Sequence, residues 1–193
     1  MPNPLRLSSI RTILFDLDDT LYPEDNGVWD SVRVRIDRYM IEEMGFPLEE
    51  VPGLRHRLWR QYGTTLRGLQ VEYAVQMDAF LDYVHDIPLE SLLEPNRRLD
   101  RILSQLPQRK VIFTNANRAH ARRVLSALDV EAHFESIVDI YAVQPFCKPH
   151  SEAFQKALEL IDERPEACCL IDDSPHKHET ARSLGMSTVA SGR

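Results

Sequence analysis

The sequence predicts an α/β fold, a doubly wound parallel sheet with a helical lobe inserted after its first strand. Three observations carry this expectation. Short apolar runs without polar alternation recur along the chain, the pattern of strands covered on both faces. Segments with apolar residues at helical spacing lie between them, as parallel crossovers require. The interval between the first two strands, about 95 residues, far exceeds a single crossover and reads as helix. The chain has 193 residues, enough for one core with an inserted lobe.

The first strand is Thr12–Phe15, a run of Thr, Ile, Leu and Phe. Residues 27–85 are helical in pattern. Val28, Val32, Ile36, Tyr39 and Met40 form one stripe with Gly45 as its C-cap, and Tyr73, Met77, Phe80, Leu81 and Val84 form a second. Trp29 and Trp59 are expected to pack within the lobe. Gly63 and Gly68, on either side of Arg67, predict a turn rather than a helix interior. A helix over residues 96–106 returns the chain to the core, so residues 1–22 and 95–193 are expected to build the core and 23–94 the lobe.

Residues 111–113 form the second strand. Asn117 is expected to cap a helix that turns Ala121, Val124, Leu125 and Leu128 inward. Residues 136–140 make a weaker strand. Ser151 is expected to cap a helix burying Ala153, Phe154, Ala157, Leu158 and Ile161. Residues 168–171 and 188–190 complete the sheet.

Composition narrows the function. A chain that is 43% hydrophobic and 27% charged is globular, not disordered or collagen-like. A net charge of −7 argues against a nucleic-acid polymer or an anionic membrane as partner. Cys147, Cys168 and Cys169 show no CxxC spacing, so neither a disulfide framework nor a zinc site is expected, and they read as small buried hydrophobes. No window approaches 18 consecutive apolar residues, and residues 1–10 have no apolar h-region. The expectation is a soluble, cytoplasmic protein. The chain stops at Arg193, just after the last strand, as a compact or shortened member of its fold would.

The chemistry-bearing residues sit at predicted strand ends. Asp16-Leu17-Asp18-Asp19-Thr20 follows the first strand, Thr114-Asn115 the second, and Asp172-Asp173-Ser174 the run 168–171. Lys148 precedes a helix within Cys147-Lys148-Pro149-His150. Open parallel sheets bind ligands beyond the carboxyl ends of their strands. Carboxylates packed closely repel unless a cation lies between them, and a hydroxyl beside free backbone N–H groups at a helix start cradles an anion. An isolated acidic turn or a capping Thr is common; the same pattern at three strand ends, with a lysine between, points to one site.

These segments, in this order, resemble the four motifs of the haloacid dehalogenase superfamily over nearly the whole chain, with its Rossmann-like core and a cap in the position of the helical lobe. A finer resemblance is to the superfamily's pyrimidine 5′-nucleotidases, through Tyr62-Gly63, Arg67-Gly68-Leu69, Cys147-Lys148-Pro149-His150, and Ile171 to Ser174 with Glu179-Thr180. The resemblance implies a two-step phosphoryl transfer. Asp16 is then the nucleophile that forms an aspartyl-phosphate, and Asp18 the acid and base. Thr114 and Asn115 hold phosphoryl oxygens, and Lys148 neutralises growing charge. Mg2+ is implied on Asp16, the Asp18 carbonyl and Asp173, with Asp172 orienting Lys148 or a metal-bound water. Arg67 is the expected cap contact to the substrate, with Tyr62 as a stacking partner.

The position four residues after Asp173 is commonly Asn or Asp in the family and is Lys177 here. A cation there would weaken Mg2+ binding, so its side chain is expected to turn outward to solvent. His176 and His178 are expected to be exposed. The implied activity is hydrolysis of a small phosphate ester, foremost a pyrimidine nucleoside 5′-monophosphate. Sugar phosphates or other small phosphorylated metabolites are the alternative substrates, and a noncatalytic metal-binding member of the fold is the reading from another class.

Overall fold

The computed structural model describes residues 9–191. Residues 1–8, part of the segment searched for a leader, and the chain end at Arg193 lie outside the described residues. The chain divides into two compact units, one drawn from Met1–Pro23 and Leu93–Arg193, the other from Glu24–Leu92. In chain order, β1 (Thr12–Phe15) precedes α1 (Val28–Glu42), α2 (Val51–Tyr62), α3 (Thr65–Tyr73), α4 (Met77–Val84) and α5 (Leu89–Leu92). Then come α6 (Arg97–Gln105), β2 (Arg109–Phe113), α7 (Arg118–Ala127), β3 (Ser136–Val138), α8 (Ser151–Leu160), β4 (Cys168–Asp172), α9 (Pro175–Ser183) and β5 (Ser187–Ala190).

In the first unit the strands form one parallel sheet in the order β3-β2-β1-β4-β5. Phe15, the last residue of β1, pairs with Ile112 and Ile171, which aligns the carboxyl ends of β1, β2 and β4 on one edge. The order runs outward from β1 in both directions, so the topological switch point lies between β1 and β4. β1 is buried along its whole length, as its uninterrupted apolar run requires. Leu14, Val111, Phe113 and Leu170 pack with Phe154, Ala157 and Leu158 of α8, and the Phe113 and Phe154 rings meet edge to face at 5.2 Å. β5 departs from the expected buried strand: among the described residues it lies at the sheet edge beside β4, and Val189 and Ala190 are exposed.

α7 forms as its sequence predicts. The Asn117 side chain accepts a hydrogen bond from the His120 N–H at 2.9 Å, and Ala121, Val124, Leu125 and Leu128 are buried. α8 buries the expected stripe, but Ser151 is not its cap. His150 holds that position without a side-chain capping bond, and the Ser151 hydroxyl is drawn to Glu152 at 3.0 Å. The three cysteines are free and buried, and burial pushes the Cys168 thiol up to about 12. Among the described residues no helix is long and apolar enough to cross a membrane.

In the helical unit α1 buries Val28, Val32, Ile36, Tyr39 and Met40. Gly45, at φ +75°, closes the helix: its N–H bonds the Ile41 carbonyl and the Phe46 N–H the Met40 carbonyl, the pairing that a left-handed residue past a helix end allows. The predicted second stripe is two helices rather than one. Ala74, at φ 57°, ends α3, so Tyr73 is exposed while Phe80, Leu81 and Val84 of α4 are buried.

The expected turn around Arg67 is also overturned. Thr64 caps α3 by accepting from the Arg67 N–H at 3.0 Å, so Arg67 and Gly68 lie inside the helix. Gly63 is the turn residue, at φ 84°. Gly68 answers to packing: a Cβ there would sit 2.7 Å from the Leu58 Cβ and 2.9 Å from Tyr62 Cδ2, so its missing side chain lets α3 close on α2. Trp29 and Trp59, expected inside, are 41% and 50% exposed, because each falls one position away from a buried residue, Val28 or Leu58.

Candidate active site

Asp16 leaves β1 at the switch point, nearly buried, with its own N–H still bonded to the Ile171 carbonyl of β4 at 2.9 Å. Its Oδ1 accepts from the Leu17 N–H at 2.8 Å and lies 2.9 Å from Lys148 Nζ. Its Oδ2 lies 2.5 Å from Lys177 Nζ. Burial alone would raise the Asp16 pKa, but the two ammonium groups outweigh it and hold the carboxyl far below the usual range.

Lys148 is fully buried, which a lysine tolerates only when its donors are met. Nζ bonds the Phe113 carbonyl at 2.5 Å, Asp16 Oδ1 at 2.9 Å and Asp172 Oδ2 at 3.1 Å. Its backbone is clamped by Asn115, whose Oδ1 accepts from the Lys148 N–H and whose Nδ2 donates to the Lys148 carbonyl, each at 2.9 Å. Thr180 Oγ1 donates to the Pro149 carbonyl at 2.8 Å and ties the same loop to α9. The side-chain amide of Asn115, expected on a phosphoryl oxygen, is thus engaged in seating Lys148. Thr114 is buried and its Oγ1 accepts from the Ala116 N–H at 3.0 Å.

Asp172 ends β4, fully buried, and spans both lysines. Oδ2 faces Lys148 at 3.1 Å and Oδ1 faces Lys177 at 3.0 Å, while Oδ1 also accepts from the Ser174 N–H at 2.9 Å. Asp16 and Asp172 share these cations but diverge. Burial pushes Asp172 up to about 6, with the charge of Asp16 adding to it although both lysines pull the other way. Two carboxylates this close do not ionise with equal ease, and Asp16, with the shorter contacts, is the more readily ionised.

The outward turn expected of Lys177 is overturned. It stands at the third position of α9, where a side chain leans back toward the helix N-terminus, and Nζ reaches Asp16, Asp172 and, at 3.4 Å, Asp173. A cation at a helix N-terminus is ordinarily disfavoured; three carboxylates reverse the balance. Burial works against its charge, but Asp16, Asp172 and Asp173 raise its pKa well above the usual lysine range. His178 is a second correction. It is buried, not exposed, and its Nε2 lies 2.8 Å from the Asp172 carbonyl. His176 is exposed as expected.

Asp18, two residues beyond Asp16, is half-buried. Its Oδ1 accepts from the Tyr22 hydroxyl at 2.5 Å and lies 3.0 Å from His120 Nε2. Burial would raise its pKa, yet His120 and Tyr22 together bring it below the usual range. Burial and the adjacent Asp18 charge keep the Tyr22 phenol protonated, so it acts as a donor. Neither partner was singled out from the sequence, although signals existed. His120 falls four residues before Val124 on the buried stripe of α7. Tyr22 lies four residues past Asp18, beyond a helical turn closed by the Leu21 N–H on the Leu17 carbonyl at 3.0 Å.

Asp16, Asp172 and Asp173 each offer a carboxylate oxygen within 4.8 Å of the others. A set of hard oxygen donors suits Mg2+, so the donor chemistry fits that metal, with the Lys177 ammonium against the same three carboxylates. Arg67 and Tyr62 belong to the helical unit. Arg67 is half-buried on α3, and the Tyr62 hydroxyl accepts from Gln61 Nε2 at 3.1 Å.

A model of haloacid dehalogenase-like hydrolases matches residues 10–185. The chain is 27% identical to phosphate metabolism protein 8 of Saccharomyces cerevisiae over 97% of its own length and 62% of that protein's, so it spans about three fifths of that relative. It is 26% identical to the pyrophosphatase PpaX of Bacillus mycoides, over 94% of this chain and 83% of that one. Among solved structures, a Bacteroides thetaiotaomicron enzyme of the same family, an Asp-to-Ala mutant in complex with magnesium and inorganic phosphate, superposes with a TM-score of 0.57 at 21% identity, covering 95% of this chain and 96% of that one.

Proposed function

Because the chain belongs to the haloacid dehalogenase-like hydrolases, we propose that it is a phosphatase that hydrolyses a small phosphate ester through an aspartyl-phosphate on Asp16. The observation that carries this reading is a buried carboxylate at the switch point of the sheet, 2.9 Å from the ammonium of Lys148, with a second carboxylate two residues on. The names of the relatives, a phosphate metabolism protein and a pyrophosphatase, support phosphoryl chemistry.

In this reading Asp16 attacks phosphorus and the bond to the leaving oxygen breaks. That oxygen takes a proton from the Asp18–His120 pair, whose 3.0 Å contact lets one proton be shared between them. Water then gives a proton back to Asp18 as its oxygen attacks the phosphorus, releasing phosphate and restoring Asp16. Lys148, fixed by Asn115 and Asp172, offsets negative charge on the phosphoryl oxygens, and Thr114 lies at the end of the neighbouring strand to help hold them. Mg2+ would be held by Asp16, Asp173 and the Asp18 carbonyl, and would supply further positive charge to the phosphoryl group. A structural neighbour that holds magnesium and inorganic phosphate supports the choice of metal.

Residues 23–94 serve as the cap in this proposal, with Arg67 and Tyr62 contacting the organic half of the ester. The foremost substrate is a pyrimidine nucleoside 5′-monophosphate, on the short matches around Tyr62 to Leu69 and Cys147 to His150. A screen of monophosphates read by free phosphate tests this. UMP and CMP should be preferred, and equal rates on UMP, CMP and sugar phosphates would withdraw the nucleotidase assignment. Asp16→Asn should abolish turnover with the melting curve still cooperative; wild-type rates would refute the mechanism.

A further inference from the structure

Lys177 contacts Asp16 and Asp173, the two carboxylates that would hold the metal, and also Asp172, and it is tethered there by α9. Its Nζ lies 2.5 Å from Asp16 Oδ2, 3.0 Å from Asp172 Oδ1 and 3.4 Å from Asp173 Oδ1, and its side chain is only 18% exposed. The ammonium has three donors and meets three carboxylates, so its hydrogen-bonding capacity is satisfied. Lys148 approaches two of those carboxylates through their other oxygens, Asp16 Oδ1 and Asp172 Oδ2. The two lysines therefore divide the cluster by oxygen atom. Lys148 lies on the buried side, and Lys177 occupies Asp16 Oδ2 and Asp173 Oδ1, one oxygen of each carboxylate that would hold a cation.

We propose that Lys177 is a built-in competitor of Mg2+, an internal cation that Mg2+ must displace from Asp16 and Asp173 before it can bind. This rests on the reading of the cluster as a Mg2+ site. An ammonium and Mg2+ cannot share these oxygens at such distances, since each needs direct contact and their charges repel. Displacement is open to a lysine: it stands in the first turn of α9 on a flexible four-carbon stem, its own side chain reaches solvent, and its partner Asp173 is 43% exposed. Two consequences follow. Mg2+ binds this chain weakly for such a carboxylate set, and the cluster keeps a counter-charge at low Mg2+, so the fold does not depend on the metal.

The test is Mg2+ binding by titration calorimetry to the full chain and to Lys177→Asn and Lys177→Gln, alongside melting curves in EDTA and in Mg2+. Removing the unit charge whose contacts with the carboxylates Mg2+ must break should tighten binding at least about tenfold, and both variants should melt lower than wild type in EDTA but gain more from Mg2+. Equal affinities in wild type and variants would overturn the competition while leaving the metal assignment intact. Absence of Mg2+ binding in all three proteins would overturn both. In wild type alone, acetylation of Lys177 by acetic anhydride, followed by peptide mass, should rise as Mg2+ is added, because the displaced amine loses its carboxylate partners. An unchanged rate at saturating Mg2+ would also overturn the proposal, whether or not the variants fold.

Discussion

Lys148→Met removes the charge at the centre of the site while keeping an unbranched apolar side chain of similar length. Lys148 and Asp172 are fully buried, and Asp16 nearly so, so solvent cannot take over the lost contacts. Breaking a buried ion pair by deleting one partner costs about 3–5 kcal/mol, because the remaining charge stays desolvated. Here two carboxylates lose a counter-ion, but Lys177 still touches both at 2.5 and 3.0 Å, which places the expected loss at the lower end, about 3 kcal/mol. For a chain of this size that is a fall in melting temperature of roughly 6–12 °C. The measurement is thermal unfolding followed by circular dichroism at neutral pH in EDTA. Asp172→Asn combined with Lys148→Met removes one of the stranded charges, so the double variant should lose less than the sum of the single variants, by about 0.5–3 kcal/mol. A single variant melting within about 2 °C of wild type, or strictly additive losses, would refute the claim that Lys148 is a counter-charge of these two buried carboxylates.

Three further outcomes are expected. His120→Gln should slow an alkyl phosphate monoester by about tenfold or more while sparing p-nitrophenyl phosphate, whose leaving group needs little protonation; equal losses on both would show that His120 serves folding alone. Gly68→Ala puts a Cβ at 2.7 Å from Leu58 and should cost the helical unit about 1–3 kcal/mol by overpacking, read as a lower urea midpoint; an unchanged midpoint would mean that α2 and α3 separate freely. Arg67→Ala should impair nucleotide hydrolysis more than that of p-nitrophenyl phosphate, and equal impairment would remove Arg67 as a contact to the leaving group.

Strand and helix patterning makes most of the architecture legible in the sequence. Buried parallel strands need apolar side chains on both faces, so β1 and β4 stand out as uninterrupted runs, and Asn117 announces α7 because an Asx side chain satisfies an open N–H. The misreadings have local causes. A left-handed Ala74 breaks a stripe whose spacing looks continuous, and Gly68 reads as a turn although close helix packing is its reason. Ser151 looks like a cap, yet its hydroxyl finds Glu152.

The sequence by itself determined the order of the elements and which residue types stand at each strand end, because periodicity and strand-end chemistry are local properties. Only the tertiary structure decided which oxygen meets which ammonium. Asn115 holds the Lys148 backbone, Tyr22 and His120 converge on Asp18, and Lys177 turns inward among three carboxylates. Each of these depends on the summed field of groups far apart in the chain, and Coulomb forces in a poorly solvated site override what a single position, taken with its neighbours in sequence, would favour.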